Sequence, residues 1–433
     1  MAVHPGILAG RGSAAEVLDD ASVEEVLVGA LDRAGLAGRR VLAIVPDGTR
    51  TAPIPLLSRL LSEHLAPRAA ALDYLVALGT HPPMSEPAID RLLGMPAGER
   101  ARRHPRMRVF NHRWDRPDAL RTIGAISASE AAALTDGRLE REVPVRLNRL
   151  VDEYDALLLC GPVFPHEVAG YSGGAKYLFP GIAGAEIIDF THWLGALCTS
   201  MATIGVRDTP VRRVIHRAAE LVRPELVCVA MALDEDRLHG LWVGSHVDAF
   251  EAAAGLSERL NVIRVPRPFQ RVLSMPAERY DDLWTAAKAM YKTEPVVADG
   301  GEVVIYAPHL GEVSFTHGRL IDEVGYHVRD YFLGRWDRFR DVPGAILAHS
   351  THVRGSGTYD AATGVERPRI RVTLATAIPE ERCRRINLGY ADPAGIVPAE
   401  WHGREDEGIL VVPHAGEKLY RLAGIHRRSA ARS

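Results

Sequence analysis

Residues 156–181 read ALLLCGPVFPHEVAGYSGGAKYLFPG. The run from Ala156 to Cys160 is apolar without interruption, which predicts a buried strand. A loop follows in which His166 and Lys176 flank Gly170, Gly173 and Gly174. Glycines there free the backbone to bend sharply and to bring its N–H groups close to a ligand. A base, a lysine and open backbone on one loop point to a cofactor site rather than a plain connection.

The same alternation extends outward in both directions. Residues 41–45 read as a strand ending at Pro46, 56–65 as a helix, 72–78 as a strand closed by Gly79, 211–221 as a helix and 225–233 as a strand. Strands alternating with helices predict an α/β domain with a largely parallel sheet. Pro266 and Pro268 interrupt the pattern around 265–269 and place a boundary there, giving an N-terminal domain over 1–265 and a smaller α/β domain over 266–433. In the second domain, 272–275, 303–307, 345–348, 370–375 and 409–412 read as strands and 281–291 as a helix. The stretches up to Ala37 and from Gly416 read as peripheral elements.

Composition removes several classes of function. Across 433 residues, 52 basic and 55 acidic side chains leave a net charge of −3, which gives no electrostatic case for nucleic acid or membranes. The cluster Arg100, Arg102, Arg103 and Arg106 reads as a solvated face, and the basic tail around His426, Arg427 and Arg428 as a frayed end. Cys160, Cys198, Cys228 and Cys383 fit neither a zinc pattern nor a disulfide framework. The first residues lack the pattern of a secretory signal, and no apolar run reaches the ~18 residues that span a bilayer. The expectation is a cytoplasmic protein.

Three strands of the first domain end in polar loops: Asp47-Gly48-Thr49-Arg50, Gly79-Thr80-His81 and the segment from His166. Open parallel sheets bind ligands beyond the carboxyl ends of their strands. Taken singly, each residue has two readings. Arg50 either anchors an anion or forms a surface ion pair. Asp47 either caps the turn that follows or meets a ribose hydroxyl. His81 is either a general base or a loop residue bonded to its neighbours. Lys176 binds phosphate, links covalently to a cofactor or lies in solvent. His192, placed after a helix over 185–190, is either a metal ligand or a satisfied histidine. No second His, Cys or carboxylate nearby completes an all-protein metal site, so a metal there takes its other ligands from a cofactor.

Together, PDGTR at 46–50, GTH at 79–81, VPVRLNR at 143–149, PHEVAGYSGGAK at 165–176, PGIAG at 180–184 and the spaced His192 resemble the nickel-pincer nucleotide-dependent lactate racemase family. The resemblance covers most of the first domain and continues more loosely into the second. It implies a larger N-terminal Rossmann-like α/β domain and a smaller C-terminal α/β domain, with the active site between them. It implies a racemase or epimerase that inverts C2 of a 2-hydroxy acid by proton-coupled hydride transfer. The implied cofactor is pyridinium-3,5-bisthiocarboxylic acid mononucleotide nickel, supplied by cofactor-biosynthesis enzymes. By position, His192 matches the nickel-binding histidine and Lys176 the lysine that links to the cofactor. His81 and His166 match the paired catalytic bases, and Arg50 the substrate-orienting arginine. Asp47, Thr49, Ser172, Gly173 and Gly174 match the nucleotide's bed.

The second domain departs from the family. Lys288 matches a substrate-binding lysine, but Trp284 and Thr285 stand where a Tyr-Gln pair is expected, so the substrate is expected not to be lactate. His309, Glu312, His317 and His327, with the stretch from His349 through His352 to Gly357, read either as a polar pocket for a larger, hydroxylated acid or as ordinary loop and helix. Two other classes compete: a nicotinamide or pyridoxal phosphate enzyme using Lys176, and a non-catalytic ligand-binding protein. The loop lacks the G-x-G-x-x-G order of a dinucleotide site, and binding alone does not require two bases.

Overall fold

The computed structural model describes residues 6–424, so the basic tail at His426, Arg427 and Arg428 lies outside the described residues. Two compact units divide the chain. One holds the residues up to Leu194 together with Val206–Leu260; the other holds Gly195–Gly205 and the residues from Asn261 onward.

The first unit is built on a seven-stranded sheet of β1 (Ile7–Gly12), β2 (Arg40–Val45), β3 (Ala71–Val76), β4 (Val109–Asn111), β5 (Ala156–Pro162), β6 (Glu225–Asp234) and β7 (Arg237–Gly244). Their spatial order is β1-β7-β6-β5-β2-β3-β4. Strands β2 to β6 pair in parallel, while β7 returns antiparallel to β6 and β1 lies antiparallel to β7. Every residue of β5 is buried, as its unbroken apolar run requires of a central parallel strand. Val41 faces Ala156 on one side and Leu72 on the other. Chain order along the parallel strands runs outward from β2 in one direction and from β5 in the other. The order therefore reverses between β2 and β5, where an open sheet leaves a crevice at its carboxyl edge.

Helices α1 (Asp20–Arg33), α2 (Ile54–His64), α3 (Ala185–Cys198) and α4 (Pro210–Ala219) join these strands. The start of α4 follows from sequence: Thr209 accepts the N–H of Arg212, and Pro210 occupies the first helical position, where no N–H is needed. Helix α3 is longer than its expected span, so His192 lies inside it rather than after it.

The second unit holds an all-parallel sheet of β8 (Phe269–Pro276), β9 (Val297–Ala307), β10 (Arg371–Thr376), β11 (Gly389–Tyr390) and β12 (Ile409–Ala415), in the order β11-β10-β9-β8-β12. Residues 345–348 are not a strand. They open helix α5 (Gly344–Arg354), which starts after Pro343 and stops at Gly355, whose φ is +81°. A run as short as Ala-Ile-Leu-Ala does not distinguish a buried helix from a strand. The helix expected over 281–291 is split into Leu283–Ala286 and Lys288–Tyr291. Among the described residues the four cysteines form no disulfide, Cys160 and Cys228 lie buried on adjacent strands, and no helix is long and apolar enough to cross a membrane.

Candidate active site

The loops after β2, β3 and β5 carry the first unit's candidate groups, and β2 lies between the other two strands. With strands about 4.8 Å apart, the loops bearing His81 and His166 start roughly 10 Å from each other. They are also tied together, since the N–H of Gly79 donates to the carbonyl of Gly181 at 2.9 Å.

Asp47 is the hub of the first two loops. Its Oδ2 accepts from His81 Nδ1 at 2.5 Å, and its Oδ1 accepts from the N–H and hydroxyl of Thr49 at 3.1 and 2.6 Å. Burial alone would raise this carboxyl. The hydrogen bond and charge of His81, the Thr49 bond and the charge of Arg50 outweigh it and hold Asp47 well below the usual carboxylate range. With Nδ1–H given to Asp47, a neutral His81 carries its lone pair on Nε2. Asp47 thus pairs with an imidazole, a role beyond a cap or a nucleotide contact.

His166 is held in the opposite way. Its Nδ1 accepts the backbone N–H of Val168 at 3.1 Å, with Glu167 Oε2 at 3.4 Å. An amide can only donate, so the neutral ring of His166 carries its proton on Nε2.

The glycine-rich loop is stitched to itself and to the unit behind it. The Ser172 hydroxyl accepts from Phe164 N–H at 2.9 Å and donates to the Pro162 carbonyl at 3.1 Å. Gly173 has φ +84°, and a Cβ there would come within 2.6 Å of Val163 Cγ2, so this position needs glycine twice over. Arg212, buried on α4, donates to the carbonyls of Tyr171 and Gly173 and stacks 4.1 Å over the ring of Phe250. At the far end of the loop, buried His112 donates from Nε2 to Ala183 O at 3.0 Å, and its Nδ1 accepts from Asn148 Nδ2 at 3.1 Å. Neither Arg212 nor His112 was singled out from sequence. An arginine on the apolar face of an amphipathic helix was the available signal for the first.

Lys176 lies in the short turn of helix Gly174–Tyr177. Burial, reinforced by the positive charges of Arg50 and Arg212 and opposed by Glu167, brings its ammonium down to about 7. His192 donates Nδ1–H to the Ile188 carbonyl one turn back at 2.7 Å, which leaves the lone pair on Nε2, the form a metal ligand takes. Among the described residues no group of three or more His, Cys, Asp or Glu could hold a metal ion.

The second unit distributes its expected residues over different tasks. The Trp284 ring stacks on His349 at 4.1 Å and tilts against His317 at 4.6 Å, and Tyr326 bonds His349 at 3.2 Å. The Thr285 hydroxyl turns back to Asp282, whose carboxylate caps the helix. Lys288 Nζ sits 4.4 Å over the Tyr280 ring. Glu312 pairs with Arg382 at 2.7 Å, His327 with Glu366 at 2.8 Å, and His309 bonds the Tyr280 carbonyl at 3.1 Å. Of the expected polar cluster, His317 and His349 thus meet at Trp284, whereas Glu312, His327 and His309 brace other segments.

Residues 13–205 match the lactate racemase N-terminal domain family. That segment belongs to the lactate racemase N-terminal domain family. Over 284 residues it is 24% identical to a lactate racemase of Thermoanaerobacterium thermosaccharolyticum, a match that covers 65% of this chain and 61% of that protein's length. A crystal structure of a Thermotoga maritima protein is 33% identical, covers 95% of this chain and 100% of its own, and superposes with a TM-score of 0.87. The lactate racemase apoprotein from T. thermosaccharolyticum shares the fold at a TM-score of 0.67 and 19% identity, covering 89% of this chain and 88% of that one.

Proposed function

We propose that this protein, as a member of the lactate racemase family, inverts the C2 centre of a 2-hydroxy acid, with His81 and His166 as the two acid–base groups. The observation that carries the reading is their opposite hydrogen bonding. His81 presents a lone pair at Nε2 because Asp47 takes its Nδ1 proton; His166 rests with its proton at Nε2 because Val168 N–H occupies its Nδ1. His166 donates that proton only after gaining a second one on Nδ1, and is then left neutral with its lone pair on Nε2 for the opposite direction. Two enantiomers point their hydroxyls in different directions, so inversion through a flat 2-keto acid calls for one such group per direction. When His81 takes the hydroxyl proton it becomes an imidazolium, and the Asp47 carboxylate stabilises that charge. In this proposal Arg50 orients the substrate carboxylate through its planar guanidinium. Lys288 and Trp284 are substrate contacts of the second unit.

The residues present fit a nickel-pincer nucleotide. Lys176, close to neutral at physiological pH, is suited to a covalent link, and His192 offers a nitrogen lone pair to the metal. Because no protein cluster supplies further ligands among the described residues, the nucleotide would provide them. Thr49, Ser172, Gly173 and Gly174 form its bed. When bound, the group would supply a reversible acceptor for the C2 hydride.

The test uses protein made together with the enzymes that build the nucleotide, given C2-deuterated lactate, malate and sugar acids in ordinary water. We expect inversion with the label retained, faster on a larger hydroxylated acid than on lactate. Metal-loaded protein that inverts none of these acids, or that loses the label to water, overturns the reading.

A further inference from the structure

Tyr177 follows Lys176 directly and closes the short turn of helix Gly174–Tyr177, and the proposed reaction leaves it unused. Strand β5 fixes where its side chain sits. A Cβ on Gly161 would overlap Oη and Cζ of Tyr177, so the phenol end of the ring rests against bare backbone there. Gly161 is the last residue but one of β5 and pairs with Ala230 of β6. On the other side of β5, the pairing with β2 ends at Ile44 and Leu159, two residues before Gly161 and three before Asp47. The Tyr177 hydroxyl therefore lies at the carboxyl edge of the sheet, where the chain order reverses and where the turn from Asp47 to Arg50 begins.

The hydroxyl is open at that edge. Tyr177 is partly exposed, and among the described residues its oxygen makes no hydrogen bond and is not shut away from solvent. Asp47, the nearest acidic group to act on it, has its two oxygens engaged by His81 and Thr49. The Arg50 charge also reaches the phenol and favours its ionisation, but burial of the ring outweighs it and pushes the hydroxyl well above its ordinary range. The group is thus a proton donor throughout the neutral range. A donor hydroxyl in the field of a guanidinium suits an anion whose oxygens can take bonds from both.

We propose that Tyr177 is a substrate-binding residue, whose hydroxyl donates to the carboxylate of the 2-hydroxy acid beside Arg50. This rests on the reading of Arg50 as the group that orients that carboxylate. Tyr177→Phe keeps the ring against Gly161 and removes only the donor; Tyr177→Leu takes its place if the first variant does not fold. On protein loaded with the nucleotide, the variant should raise KM about tenfold and change kcat less than about twofold, as expected for a hydrogen bond to a charged group made equally in substrate and transition state. On the full chain without nucleotide, calorimetry with pyruvate should show the same loss of affinity, and methyl pyruvate, which has no carboxylate, should not distinguish the variant. Unchanged KM with unchanged pyruvate binding overturns the proposal and leaves the racemase reading standing. A fall in kcat alone, which would put the phenol in the proton transfers, also overturns it. So does inorganic phosphate losing more affinity than pyruvate, which would assign the hydroxyl to the nucleotide's phosphate. Weakened pyruvate binding in a protein that inverts no acid keeps Tyr177 as the carboxylate's donor while the racemase reading falls. A natural chain that neither turns over an acid nor binds pyruvate overturns both; where pyruvate binds only with the nucleotide present, KM decides.

Discussion

The loops that carry His81 and His166 leave the same edge of one sheet, yet they are held by opposite means. A buried carboxylate grips His81 from the β2 loop, while a backbone amide two residues along its own chain grips His166. The carboxylate can support a positive ring; the amide favours a neutral one. The same side chain thereby rests in two different tautomers, with no difference in residue type. The largest predicted effect tests this opposition directly. His81→Ala and His166→Ala should each cut inversion by at least ~100-fold, the ordinary worth of a positioned acid–base group. Rapid-quench analysis should then find that each variant still forms bound keto acid from one enantiomer, a different one in each case. Loss of the same half-reaction in both variants would break the comparison.

Next in size is Asp47→Asn, which keeps the shape of the grip on His81 but removes its charge. Turnover should fall roughly 100-fold with little change in KM, because the carboxylate is needed when the ring is charged and not when substrate first binds. The matching change on the other loop, Glu167→Gln, should cost less than about threefold, since the 3.4 Å approach of Glu167 is secondary to the Val168 amide. Equal losses from the two substitutions would mean that both histidines are steered by carboxylates.

A smaller effect is expected from Arg212→Met. The guanidinium braces the glycine-rich loop through two carbonyls and lowers the protonation of Lys176. Removing it should raise the pH at which Lys176 becomes reactive, measured on the apoprotein by mass spectrometry after labelling with an amine reagent across a pH series. Arg212→Lys should restore part of the shift. An unchanged midpoint in Arg212→Met would reduce the residue to a packing role.

These contrasts show where sequence reading reaches and where it stops. The parallel core was legible because β2, β5 and β6 are nearly unbroken apolar runs, a pattern local to each strand. The loops were legible because they follow those runs directly. The Asp47–His81 bond was not, since the partners lie 34 residues apart and meet only through the pairing of β2 with β3, where Val45 aligns with Val76. Arg212 and His112 escaped for the same reason: each reaches the loop from an element distant in sequence. In the second unit, Glu312 and His327 looked like pocket residues because polar side chains near a strand end carry no mark of their partners. Arg382 and Glu366, far along the chain, claim them. Residues 345–348 failed differently, as a short apolar run compatible with either regular structure.

The smallest expected effect on turnover, and one that separates scaffold from chemistry, concerns His112. Burial pushes its protonation down to about 4 from an ordinary 6.5, against the partly compensating bond to Ala183. A ring whose folded form resists protonation stabilises the fold fully above pH ~6.5, and that contribution is lost as pH falls toward 4. By pH 5 the loss attributable to this ring is about 2 kcal/mol. Urea unfolding followed from pH 7.5 to 5 should show the decline in the natural chain and a shallower slope in His112→Phe. At pH 7.5 the variant is expected to be less stable, because Ala183 O and Asn148 lose their partner, yet to retain its Lys176 reactivity profile. A variant that kept the full acid slope would place the acid-sensitive element elsewhere, among the other buried histidines. A variant that also shifted the Lys176 profile would show that the far end of the glycine-rich loop is coupled to its centre, and the brace at His112 would then rank with that at Arg212.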